Sequence, residues 1–153
     1  MTHSLSKRVA DHLSAHLDCA RLLETALQEE HGALLANDVA ALEKITQAKS
    51  AASERLDELG NSLQRLRGEA GAPDIDALLT RSDPGSAGRW KELIELARRC
   101  AGANRDNAVL LDARSHQIRN ALRLIHGNAG GSETYGRGGN TASAFGPRSL
   151  GSA

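Results

Sequence analysis

Apolar and small residues return at alternating steps of three and four through residues 89–127, and this pattern limits the chain more than any other feature. The steps fall on Trp90, Leu93, Ala97, Cys100, Asn104, Asn107, Leu111, Arg114, Ile118, Ala121 and Ile125. Steps that follow about 3.6 residues per turn place all of them on one stripe of a helix. Only Gly102 weakens the stretch. A helix this long cannot bury its stripe alone, so the chain must supply other helices to cover it. Asn104, Asn107 and Arg114 interrupt the stripe with polar groups, which lower stability and select register or partner. The first half of the helix is therefore expected to be well packed and the second half less committed.

Two more stretches carry the same period. Residues 7–35 give Val9, Leu13, His16, Ala20, Leu23, Leu27, Glu30 and Leu34, and residues 39–67 give Leu42, Ile45, Lys49, Ala52, Leu56, Leu59, Leu63 and Leu66. Only Asn37 and Asp38 stand out between them, as a turn and a new N-cap. So short a link forces an antiparallel helical hairpin. Gly68, Gly71 and Pro73 stop the second helix. A connector follows, with Asp74 capping a short helix at about 74–80 that carries Ile75, Leu78 and Leu79. Asp83-Pro84-Gly85 then turns the chain into the third long helix, 89–126. The expected fold is all-α, an antiparallel bundle or coiled coil of three long helices forming a domain over 1–127. Residues 128–153 change to Gly, Ser, Ala, Thr and Asn, with Tyr135 and Phe145 as the tail aromatics. Such a composition buries too little apolar surface to offset its ordering entropy, so a disordered tail is expected.

Several function classes are disfavoured. Lys plus Arg and Asp plus Glu both number 19, and aromatics are 2% of the chain, so neither the basic excess nor the stacking platform of a nucleic-acid binder is visible. No run suits membrane insertion, and no apolar core follows Lys7-Arg8 as in a secretory signal. Cys19 and Cys100 sit in or beside helical stripes, where a free thiol acts as a small hydrophobe. These features favour a reducing, cytoplasmic setting. His12 and His16 have metal-compatible spacing but no third ligand in view, so one solvated and one tucked imidazole is expected rather than a metal site. Glu29, Glu30 and His31 are adjacent on a helix and are expected to diverge. The Gly-rich stretch from Gly127 lacks the strand and helix of a phosphate loop. No catalytic constellation and no cofactor site emerges, so an enzyme is not expected.

Three features together carry a family resemblance. They are the hairpin with Leu42-Glu43-Lys44-Ile45 and Lys49, the helix reading Trp90-Lys91-Glu92-Leu93, Cys100, Asn104, Asn107 and Leu122-Arg123-Leu124-Ile125, and the tail with Tyr135-Gly136. The whole resembles the FlgN family of flagellar export chaperones, over nearly its full length. The resemblance implies a small cytoplasmic helical protein without catalytic activity. Such a chaperone binds the hook-filament junction proteins FlgK and FlgL and delivers them to the export gate. It also implies cargo binding at Leu111, Ile118, Leu122 and Ile125, and contact of Tyr135 with the export-gate protein FlhA. The residues themselves give a compatible reading, an adhesive helical stripe that a cargo helix fills. The alternative is a structural coiled-coil adaptor that self-associates as a homo-oligomer, with no export role.

Overall fold

The computed structural model describes residues 2–131. The order is α1 (Thr2–Ala36), α2 (Val39–Glu69), α3 (Ile75–Thr80) and α4 (Gly85–Gly131). Both ends of α4 and the start of α1 lie outside the expected limits, by a turn or so. The chain divides into two units, Met1–Arg114 and Ser115–Ala153, and α4 contributes to both.

The first unit is an up-down-up arrangement built by its caps. Asn37 takes a left-handed conformation, φ 54°, which asparagine tolerates. Asp38 N–H reaches Ala33 O at 3.0 Å and Asn37 N–H reaches Leu34 O at 3.4 Å, closing α1 in a Schellman pattern. The Asp38 carboxylate then accepts from Ala41 N–H at 3.0 Å and opens α2. Gly71, at φ 59°, closes α2 in the same way; there Ala72 N–H bonds Arg67 O at 3.1 Å. Asp74 caps α3 through Ala77 N–H at 2.7 Å. Asp83 starts α4, its carboxylate accepting from Gly85 N–H at 3.2 Å.

The α1 and α2 stripes meet as their spacing predicts, with His12 bonded to Leu59 O and Cys19 to Ala52 O along an antiparallel seam. α3 plugs one end of the hairpin, burying Leu78 and Leu79 against Val9, Leu13 and Leu63. The N-terminal part of α4 returns parallel to α1. Leu93, Leu96 and Cys100 pack on Leu17, Ala20 and Leu27. Exposed pairs, Arg21 with Glu92 at 2.6 Å and Arg99 with Glu24 at 2.8 Å, flank this seam and contribute little.

The α4 stripe needs one correction. Trp90, Leu93, Cys100, Asn107 and Arg114 of the expected stripe are buried or half-buried, but so are Leu96, Ala103 and Leu110, whereas Ala97, Asn104 and Leu111 are exposed. The heptad positions 93, 100 and 107 are as expected, but the intervening step is three, not four. Leu96 removes more apolar surface from water than Ala97, and that difference sets the phase.

Two substitutions test the packing. Leu59→Ala is expected to lower unfolding free energy by about 2–5 kcal/mol, because Leu59 is buried in the α1–α2 seam. A Cβ on Gly60 meets no atom within 4 Å, so Gly60→Ala should stabilise the protein by about 0.5–1 kcal/mol through helix propensity alone. Urea titrations of both variants measure these changes; no loss for Leu59→Ala contradicts the seam.

Candidate partner-binding surfaces

A polar cluster joins the three long helices in the first unit. Lys49 on α2 donates to both carboxylate oxygens of Glu30 on α1, at 3.1 and 2.8 Å, and to the amide oxygen of Asn104 on α4 at 3.1 Å. The Lys49 and Glu30 side chains are only 26% and 13% exposed, so this pair is poorly screened by water. Asn107 is buried, and its amide donates to Leu27 O at 2.9 Å and to Glu30 at 3.4 Å. Its oxygen accepts from Nδ1 of His31 at 3.0 Å. Glu30 and His31 thus converge on one α4 side chain, against the expectation that they diverge. Adjacent residues flank the contact line of a third helix, and a side chain inserted between them reaches both.

Small residues shape the next feature. Ser53 and Gly60 on α2 lie opposite Ala97 and Ala101 on α4, and the two helices leave a cleft of about 550 Å³ between them. Its floor is apolar, with Leu23, Leu27, Leu56 and Leu93, and it runs from Trp90 to the Lys49–Asn104 bond. His16 lines it and is buried, and its Nδ1 has no hydrogen-bond partner. Burial pushes the His16 imidazole below its usual range; His12 adds to this, and the Leu56 carbonyl partly offsets it. The two rings lie edge to face with centroids 5.5 Å apart. Cys19 and Cys100 are buried free thiols, and burial pushes both upward, away from the reactive thiolate.

The second unit, described over 115–131, is a helical segment with every described side chain exposed through residue 128. It holds three of the four residues expected to bind cargo. Ile118, Leu122 and Ile125 are 62%, 49% and 64% exposed, while Leu111 in the first unit is 50% exposed. Ile118, Leu122 and Ile125 follow i, i+4, i+7 spacing, so they share one face. Val109 and Leu124 are further exposed apolar residues of α4. Tyr135 and the expected disordered tail beyond 131 lie outside the described residues.

A helical bundle with exposed apolar residues along one helix and an open apolar cleft has the features of a protein-binding module. No described helix is long and apolar enough to cross a membrane. The family model for FlgN protein matches residues 1–143, and the chain belongs to that family, one of flagellar export chaperones. No curated protein and no solved structure matches the chain.

Two measurements test the polar chemistry. Lys49→Met strands the Glu30 carboxylate and is expected to cost about 2–3 kcal/mol, the lower range because the pair keeps some water. Pairing it with Glu30→Gln should recover part of that loss. His16 titrates lower in the folded chain, so as pH falls through about 6.5 the unfolded chain takes up a proton that the folded one refuses, and stability drops. Denaturation between about pH 7.5 and about pH 5.5 should show this loss, and His16→Gln should flatten it. An unchanged pH slope in the variant contradicts the assignment.

Proposed function

We propose that this protein is a cytoplasmic flagellar export chaperone that masks an apolar helical segment of the hook-filament junction proteins, FlgK and FlgL, and hands them to the export gate. The observation carrying this reading is the exposure of Ile118, Leu122 and Ile125 on one helical face, with Leu111 of the first unit exposed as well, in a member of the FlgN family. Exposed large apolar residues in register on one helix cost solubility unless a partner covers them. A cargo helix with anchors at the same spacing buries them and is itself protected from aggregation. The process is mass action, with apolar burial as its driving force and no covalent step. Tyr135, on the residues after α4, supplies the separate contact with FlhA; an aromatic anchor gives a large contact area at small entropic loss. The structural reading, self-association through the same stripe, predicts assembly without cargo.

Leu122→Asp with Ile125→Asp places charges where the stripe must desolvate. This double variant is expected to lose pull-down of purified FlgK and FlgL while keeping the melting curve of the parent, because both side chains are exposed. Full-strength cargo binding by the folded variant overturns the site. Tyr135→Ala is expected to leave cargo binding intact, weaken capture by the cytoplasmic domain of FlhA, and reduce motility. Unchanged FlhA capture and motility contradict its role.

A further inference from the structure

The cleft between α2 and α4 has no role in the reading above, and its chemistry points to a second partner surface. It is apolar along its floor, and its α4 side extends from Trp90 to Asn104. That is about 21 Å of helix, enough for roughly fourteen residues of an added helix. Beside the lining residues Ile94, Ala97 and Ala101 stand Lys91, Arg98 and Arg105, each three or four residues from one of them and so on the neighbouring helical row. The three cations are exposed, and among the described residues none pairs with a carboxylate. Their seven-residue spacing repeats every ~10.5 Å along the lip. The α2 lip is different: Ser53, Gly60 and Gln64 line it, with Asp57 as the adjacent charge.

We propose that this cleft docks an amphipathic helix of a partner protein whose apolar face fills the floor and whose acidic edge, with carboxylates at heptad spacing, lies along Lys91, Arg98 and Arg105. The asymmetry of the two lips fixes the orientation, acidic edge toward α4. A second copy of this chain is the poorer occupant. Its exposed apolar helix, 115–128, contains Arg119 and Arg123 and no carboxylate, and would bring cations to a cationic lip. Nor do the described residues close the cleft, because Gly60, Ala97 and Ala101 are too small to reach across. The Lys49–Glu30–Asn104 bonds tie α2 to α4 at one end of the cleft. This site is separate from the distal stripe and stands whether or not that stripe binds cargo.

The test uses the full chain carrying Leu122→Asp and Ile125→Asp, which removes the distal stripe from the measurement. Two fluorescein-labelled helical peptides of about 18 residues share one leucine stripe; one carries Glu at every seventh position along an edge, the other Lys. Anisotropy titration is expected to show the acidic peptide binding about tenfold tighter or more, with the preference shrinking as salt rises. Lys91→Glu, Arg98→Glu and Arg105→Glu together should invert the preference, and Ala97→Phe, which fills the floor, should weaken both peptides. Because the three cations are exposed, the charge-reversed chain keeps the test valid even where Ala97→Phe fails to fold. Equal affinity for both peptides, absence of binding, or a preference that survives charge reversal overturns the proposal. So does a concentration-dependent dimer that Ala97→Phe abolishes, which would make a second copy the occupant.

Discussion

The ion pair between Glu30 and Lys49, shared with Asn104 and Asn107, is the contact on which the arrangement of the first unit depends. Apolar stripes built from Leu and Ala specify that helices pack, but not which rotation or sliding position they adopt, because many registers bury similar areas. Polar groups with few acceptors are less tolerant. Lys49 reaches Glu30 and Asn104 together only when α1, α2 and α4 are in one register. Asn107 finds Leu27 O, Glu30 and His31 only from the same setting. A buried asparagine or ion pair gives up stability relative to an apolar residue, and its use here is to exclude alternative packings.

That choice has consequences on both sides of α4. Toward α1 the helix is tightly seated, with Leu93, Leu96 and Cys100 buried. Toward α2 it meets small residues, and the polar bridge spans what side chains do not fill. The result is a first unit with an ordered seam on one side of α4 and an open apolar cleft on the other. Among the residues of α4 whose burial is described, Asn107 is also the last buried one. Beyond it Val109, Leu111, Ile118, Leu122, Leu124 and Ile125 are exposed, and the proposed cargo contact rests on them.

Much of this was legible in the residues and some was not. The α1 and α2 stripes were readable because each keeps one register of alternating three- and four-residue steps from end to end. The caps at Asp38 and Asp74 were readable because each sits beside turn residues with their own geometry; at Asp83 only the turn was readable, and α4 starts at Gly85, before the expected residue 89. The phase of α4 was ambiguous, since Leu96 and Ala97, and Leu110 and Leu111, offer two rows side by side; the choice follows from bulk and tertiary contact. The polar cluster was not legible, because Glu30 and Lys49 are on different helices and nothing local announces their pairing. Asn104 and Asn107 signalled only that something polar had to answer them. The cleft left a faint trace, the small residues Gly60, Ala97 and Ala101, whose meaning depends on which helix faces which.

The first unit is a register-locked bundle, and the proposed partner contact lies on the exposed apolar residues of the far part of α4. Hydrogen exchange on the full chain, with and without a purified hook-filament junction protein, tests it most directly. Cargo is expected to protect the amides of residues 111–128 while the α1–α2 seam exchanges as before. Cargo that is demonstrably bound, with 111–128 exchanging as in the free chain, would contradict it.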